Sequence, residues 1–223
     1  MKNFSLFIAI LLLVSCTNVE NQQKEAAIEH NNMEADSNTI ALAKDTLANS
    51  ISNNQRSVVS NKEFLNFYQK LTKAIQDKDV ASFNKCMGSN FGVYIIEATG
   101  AIPIISKVYD ISKFKLKSNN NNFFQLPFKS ITSAPIFDEL PKVICEEAIY
   151  DKSGCFAAAV NPIQESQLWN YSDLNEKEIQ AIEKLASLVN MTVINTDNCT
   201  FYFSFNENKW SISFIDLRIP CQA

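Results

Sequence analysis

The chain contains one histidine, His30, among 223 residues, and it stands outside the stretch patterned for a folded core. A domain without histidine has no Ser–His–Asp or Cys–His nucleophile pair and none of the usual His-bearing zinc sites. Four glycines in the whole chain are too few and too scattered for a phosphate-cradling loop. Carboxylates and thiols remain. Glu146, Glu147 and Asp151 gather in "CEEAIYDKSGC", Cys145 to Cys155. Paired carboxylates can hold calcium or exchange protons. Successive residues of a strand point to opposite faces, however, so Glu146 and Glu147 do not share a site, and the stretch reads first as a solvated loop. A nucleophilic Cys145 or Cys155 would need a base that no histidine supplies. We therefore expect no catalytic residue, no metal site and no cofactor, and the balance lies against an enzyme.

The thiols have a second use. Five cysteines follow Cys16: Cys86, Cys145, Cys155, Cys199 and Cys221. An odd number cannot pair completely within one chain, so two bridges and one free thiol are expected. Asp151, Ser153 and Gly154 are turn residues that bring the chain back on itself, so Cys145–Cys155 is the first choice of bridge. Cys221 is then a partner for Cys199 or Cys86.

An oxidising compartment is implied by the first sixteen residues. Lys2 is followed by an apolar run from Phe4 to Val14, broken only by Ser5. A bilayer-spanning helix needs about 20 apolar residues, and this run falls short. A basic start, a short apolar run and small residues beyond it describe a cleaved secretory signal. Leu13-Val14-Ser15-Cys16 further resembles the lipobox of bacterial lipoproteins. That resemblance implies cleavage before Cys16, a diacylglycerol thioether on its sulfur, and attachment to a bacterial membrane in the cell envelope, most simply the outer membrane. Several acyl chains on one residue hold firmly where a single chain holds reversibly.

Three segments follow: a signal peptide over 1–15, a lipidated cysteine with a tether over 16–60, and one globular domain over 61–223. Residues 17–60 lack Phe, Tyr and Trp and are rich in Asn, Gln, Glu, Ser and Ala. Such a composition buries too little to offset its ordering entropy. As a coil it would reach roughly 40 Å. Ile40, Ala43, Leu47 and Ile51 share helical spacing, a narrow stripe that offers an alternative. The formal charge is −4, with no basic patch, so nucleic acid is excluded as a partner.

Phe64, Phe67, Tyr68, Leu71 and Ile75 form one stripe of an amphipathic helix, capped by Ser60 with Glu63. "DKD", Asp77 to Asp79, ends it, and Asp79 caps a second helix holding Val80, Phe83 and Met87. "VYII" is a strand. Residues 100–117 fit strand or helix, Ser118 to Asn122 is a loop, and the proline-bearing stretch to 141 is irregular. "KVICEEA" and "CFAAAV" are strands. Asp173 with Glu176 opens a helix whose face is Ile179, Ile182, Leu185 and Val189, and "MTVI" is a strand. In the last hairpin, "CTFYFSF" and "WSISFID" flank Asn206 to Lys209. A four-residue loop would set Phe205 against Trp210, Phe203 against Ile212 and Phe201 against Phe214, all on one face, with Tyr202, Ser204, Ser211 and Ser213 on the other.

The predicted fold is α+β: N-terminal helices packed on a curved antiparallel sheet. Two helices joined by a "DKD" junction, a strand, and long C-terminal antiparallel strands resemble the NTF2-like (cystatin-like) cone over about 61–223. The ending, Asn208 to Ala223, is similar to uncharacterised lipoproteins of Bacteroidota-type bacteria. If the cone is present, Tyr94, Glu97 and Tyr109 would line its pocket. Fold alone does not give function. The favoured expectation is a membrane-anchored, non-catalytic domain that binds an envelope protein or a small ligand. The alternatives are a carboxylate-dependent hydrolase or isomerase of NTF2-like type, and a structural or assembly component of an envelope complex.

Overall fold

The computed structural model describes residues 61–218 except 99, 129, 130, 133 and 148, together with 220 and 221. The leader, Cys16, the tether, His30 and the Ser60 cap lie outside the described residues.

The first helix, α1, covers residues 61–76. Its stripe works as expected: Phe64, Tyr68, Leu71 and Ile75 are buried, with Phe67 at the margin of the same cluster. The helix ends in a Schellman arrangement. The Asp79 amide donates to the Ala74 carbonyl (2.9 Å) and the Lys78 amide to Ile75 (3.2 Å), with Lys78 left-handed at φ 55°. Asp79 then caps α2, Val80–Cys86, by accepting from the Ser82 amide and hydroxyl. A helix end and a helix start are thus compressed into three residues.

Seven strands form one open sheet: β1 (Val93–Ala98), β2 (Pro103–Val108), β3 (Ile136–Phe137), β6 (Cys155–Ala158), β7 (Val189–Asn195), β8 (Cys199–Asn206) and β9 (Lys209–Asp216), in the order β2-β1-β9-β8-β7-β6-β3. A separate two-stranded ribbon pairs β4 (Val143–Ile144) with β5 (Ile149–Tyr150). The ambiguous stretch after Gly100 supplies β2 and a 3-10 turn at Ile111–Lys113.

The α+β class holds, but the expected all-antiparallel sheet with one covered face does not. β1 runs parallel to β9, and β3 parallel to β6. Both faces are buried. On one face α1, α2 and the aromatic loop around Phe123 pack on Ile95, Val193, Phe201, Phe203 and Ile212. On the other, α3 (Pro162–Ser166), a 3-10 turn (Leu168–Tyr171) and α4 (Glu176–Ala186) pack Ile163, Trp169, Ile182 and Leu185 on Tyr94, Tyr202 and Phe214. "VYII" and "MTVI" are runs without alternation because a strand buried on both sides needs apolar residues at every position. α4 starts two residues later than expected: Asn175 with Glu178 forms the capping box, each side chain accepting from the other's amide. Val189 has left the helix and begins β7.

The final hairpin is right in its outer half and shifted in its inner half. Phe205 pairs with Trp210 and Phe203 with Ile212. The loop is two residues, Glu207 and Asn208, both at positive φ (50° and 59°), the geometry of a type I′ turn. Beyond Ile212 one extra residue on β9 opens a bulge, so Phe201 faces Ile215 rather than Phe214, and Phe214 faces Tyr202. The face expected to be polar is buried, and its Ser204 and Ser213 hydroxyls satisfy each other at 2.7 Å.

Gly92, at φ 66°, turns the chain into β1, and a Cβ there would lie 2.3 Å from the Val108 carbonyl oxygen. Gly92→Ala should therefore cost about 2–3 kcal/mol through the strained φ and the backbone contact. Urea denaturation measures it; an unchanged midpoint would show that the turn is not held as described.

Candidate functional site

One end of the α3–α4 face is left uncovered by those helices, and a cavity of about 570 Å³ opens there. This lies within the range of small-molecule sites. Its floor is the sheet: Ile194 from β7, Thr200 and Tyr202 from β8, Asp216 from β9 and Arg218 just beyond, with Ala98 at the end of β1 exposed at the rim. Pro103 and Pro162 form part of the wall. The roof comes from far along the chain, with Pro141, Val143, Cys145 and Tyr150 from the ribbon segment and Pro220 and Cys221 from the C-terminal tail.

The polar centre of the cavity is a fork. Arg218 Nε donates to both Asp216 carboxylate oxygens (2.9 and 3.2 Å), Nη2 donates to Oδ2 (2.7 Å), and the Arg218 amide donates to Oδ1 (3.0 Å). Residues i and i+2 of an extended chain share a face, which is why the local sequence Asp-Leu-Arg brings both charges to one spot. The hydrogen bonds to Asp216 raise the affinity of Arg218 for its proton. Two tyrosines accompany the fork. Burial, then the Asp216 charge, pushes the phenols of Tyr202 and Tyr150 up, so both stay neutral donors at physiological pH.

The roof is fastened by a disulfide between Cys145 and Cys221. This corrects the expected Cys145–Cys155 pairing. The ribbon closes on itself: the Asp151 amide donates to the Lys142 carbonyl (2.9 Å), and the Asp151 carboxylate accepts the Lys142 amide (2.8 Å). Cys145 is left in the β4–β5 turn while the chain runs on into the main sheet. Cys155 faces the other layer, its sulfur 3.4 Å from the Tyr68 hydroxyl beneath α1. Cys86, Cys155 and Cys199 are buried free thiols, so Cys221 pairs with neither Cys199 nor Cys86. Burial raises the pKa of all three, Cys86 to about 11, which makes them poor nucleophiles at neutral pH.

The three residues expected in a pocket are not brought together. Tyr94 stacks on Phe214 (5.6 Å between centroids) within the α3–α4 layer. Tyr109 is 61 % exposed, and Lys107 Nζ lies over both rings, 5.4 Å from Tyr94 and 5.0 Å from Tyr109. Glu97 is turned to the opposite face. Its carboxylate accepts the Lys117 amide (3.0 Å), its second oxygen has no partner, and burial raises its pKa. The space between α1 and the sheet, where an NTF2-like pocket would open, is filled by Phe64, Tyr68, Phe201 and Phe203. Glu146, Glu147 and Asp151 are exposed, and among the described residues no group of three His, Cys, Asp or Glu side chains could hold a metal ion.

Asp216, Arg218, Tyr150 and Tyr202 were not singled out from sequence. The signal was present in "IDLR", where two opposite charges alternate with apolar residues at the end of a strand. No protein-family model, curated protein or solved structure matches the chain.

Two outcomes follow from the bridge and from the buried neutral groups. Replacing both Cys145 and Cys221 by Ser opens a 76-residue separation, and the chain-entropy model sets the loss at up to about 4.5 kcal/mol. Hydrogen exchange should accelerate more in β4, β5 and the tail than in β7–β9; uniform acceleration would mean that the bridge does not act as a local fastener. Tyr68, Tyr150, Tyr202 and the three thiols all hold their protons more tightly folded than unfolded. Their contribution is complete below about pH 8, where the unfolded thiols begin to ionise, and is lost as pH rises through the folded values. Urea midpoints should be level from about pH 6 to 8 and fall from about pH 8 to 11. A midpoint that holds steady to pH 11 would contradict the burial of these groups.

Proposed function

We propose that this protein is a lipid-anchored component of the bacterial cell envelope whose domain binds a small organic ligand, without catalysis, in the cavity beneath the Cys145–Cys221 clasp. The observation that carries the reading is the Asp216–Arg218 fork, oriented by four hydrogen bonds in the floor of a largely apolar cavity roofed by a disulfide-fastened ribbon. The lipobox-like Leu13-Val14-Ser15-Cys16 supports the anchor, and a disulfide accords with an exported chain.

The NTF2-like reading draws support from the pair of N-terminal helices with its Asp79 cap and from the long antiparallel β7–β9. Glu97 gives weaker grounds for the hydrolase or isomerase alternative, because the face it occupies is filled by aromatic side chains.

The test has two arms. Radiolabelled palmitate should enter the wild-type chain and not Cys16→Ser. Native mass spectrometry of the purified full chain should show a bound small molecule that Ala98→Phe, which fills the cavity from an exposed position at its rim, removes without unfolding the protein. Label retained in Cys16→Ser would refute the anchor. A ligand retained in Ala98→Phe would move binding elsewhere.

A further inference from the structure

We infer that the cavity beneath the clasp takes an organic acid: an apolar body with one carboxylate or similar planar oxyanion seated on the outer edge of the Arg218 guanidinium. This rests on the reading of the cavity as a ligand site and names the ligand's chemistry.

Arginine carries five side-chain N–H groups. Nε–H and one Nη2–H of Arg218 are committed to Asp216. Among the described residues none accepts the remaining three, which include both on Nη1. Asp216 is saturated: Oδ1 accepts the Arg218 amide and Nε, and Oδ2 accepts Nε and Nη2. The carboxylate is therefore masked as an acceptor, while the guanidinium is held flat and still presents donors in a fork. Among the described residues, the titratable groups lining the cavity are Asp216, Arg218, Tyr150 and Tyr202, and no Lys, Glu or His lines it. The phenols keep their protons. Thr200 adds a hydroxyl, which is hydrogen-bonded to the Tyr150 phenol.

Among the described residues the cavity thus offers a surplus of donors, three of them on a cation, and no uncommitted anion. A head group made only of acceptors meets this supply, and a bidentate carboxylate matches the guanidinium edge. An ammonium head would find its natural partner occupied. The rest of the lining fixes the body: Ala98, Ala101, Pro103, Val143, Pro162 and Ile194 offer no hydrogen bond from their side chains. An unbranched or aromatic hydrocarbon portion suits such walls, whereas a sugar would leave hydroxyls without partners.

Isothermal titration of the full-length protein with octanoate, 1-octanol and octylamine reads the head group directly. Octanoate should bind at least tenfold more tightly than octanol, and octylamine more weakly than both. The double variant Asp216→Asn with Arg218→Gln removes the charges together and should bring octanoate and octanol to equal affinity. Retained octanol binding in that variant shows that the cavity is intact. A second readout uses the wild-type protein alone: the ¹³C resonance of carboxyl-labelled octanoate should titrate at lower pH when bound than when free. Equal binding of octanoate and octanol to the wild type, preference for octylamine, or a raised titration midpoint would overturn the organic-acid inference while leaving the cavity as a ligand site. If none of the three compounds binds, the inference fails and the reading of the cavity fails with it.

Discussion

One extra residue in β9 decides what each face of the sheet carries. From Trp210 to Ile212 the strand alternates in step with β8, and both side chains enter the layer under α1. If strict alternation continued, Phe214, Asp216 and Arg218 would follow them into that layer and Ile215 would leave it. The bulge at Ser213 shifts the pattern by one. Ile215 joins the α1 core, and Phe214 joins Tyr94 and Tyr202 beneath α4. Asp216 and Arg218 emerge at the open end of that second face. The same insertion that completes two hydrophobic layers also delivers the charged pair to a cavity, where a half-buried ion pair keeps part of its hydration. Ser213 costs little where it sits, because its hydroxyl meets that of Ser204 on the neighbouring strand.

Burial on both faces explains the character of the other central strands. β7 carries its own bulge at Asn190, which separates Val189, packed with α4, from Met191, packed under α1. The Asn190 side chain accepts the Phe205 amide that the bulge would otherwise leave unmatched. Thr192, fully buried, donates to the Val160 carbonyl at 2.7 Å. Small polar side chains survive inside the sheet where a partner is already in place. The layers differ in what they leave open. The α1 side is closed by interlocking rings, with Phe203 within 6 Å of Phe64, Phe67 and Tyr68. The α4 side ends short, and the ribbon and tail roof the gap, joined through a bond between two exposed half-cystines.

Elements with a local signature were legible in the sequence. The α1 stripe, the Asp79 cap, the outer half of the last hairpin and the loop at Ser118 to Asn122 each depend on residues a few positions apart. The bulge was not legible, since a single serine inside "WSISFID" is as compatible with strict alternation as with an insertion. Nor was the α4 start: Asp173 and Asn175 both offer a cap three residues before a glutamate, and the structure uses the second. The bridge partner and the cavity depend on contacts between 98–103, 141–150, 194–202 and 216–221, segments far apart in sequence that meet through the sheet order, the separate ribbon and the tail. Cys145 is ten residues from Cys155 in sequence, yet the Lys142–Asp151 closure turns it away. Tyr94 and Glu97 failed as joint pocket residues for the simplest reason: three positions apart on one strand, they face opposite layers.

The register of β8 against β9 is where the account stands or falls. Cross-strand nuclear Overhauser effects in the full-length protein read it without reference to any ligand. The structure requires contacts joining Phe201 to Ile215 and Tyr202 to Phe214, alongside Phe203 to Ile212. Contacts joining Phe201 to Phe214 instead would mean an unbroken alternation, with Asp216 and Arg218 turned beneath α1 and no charged fork at the cavity.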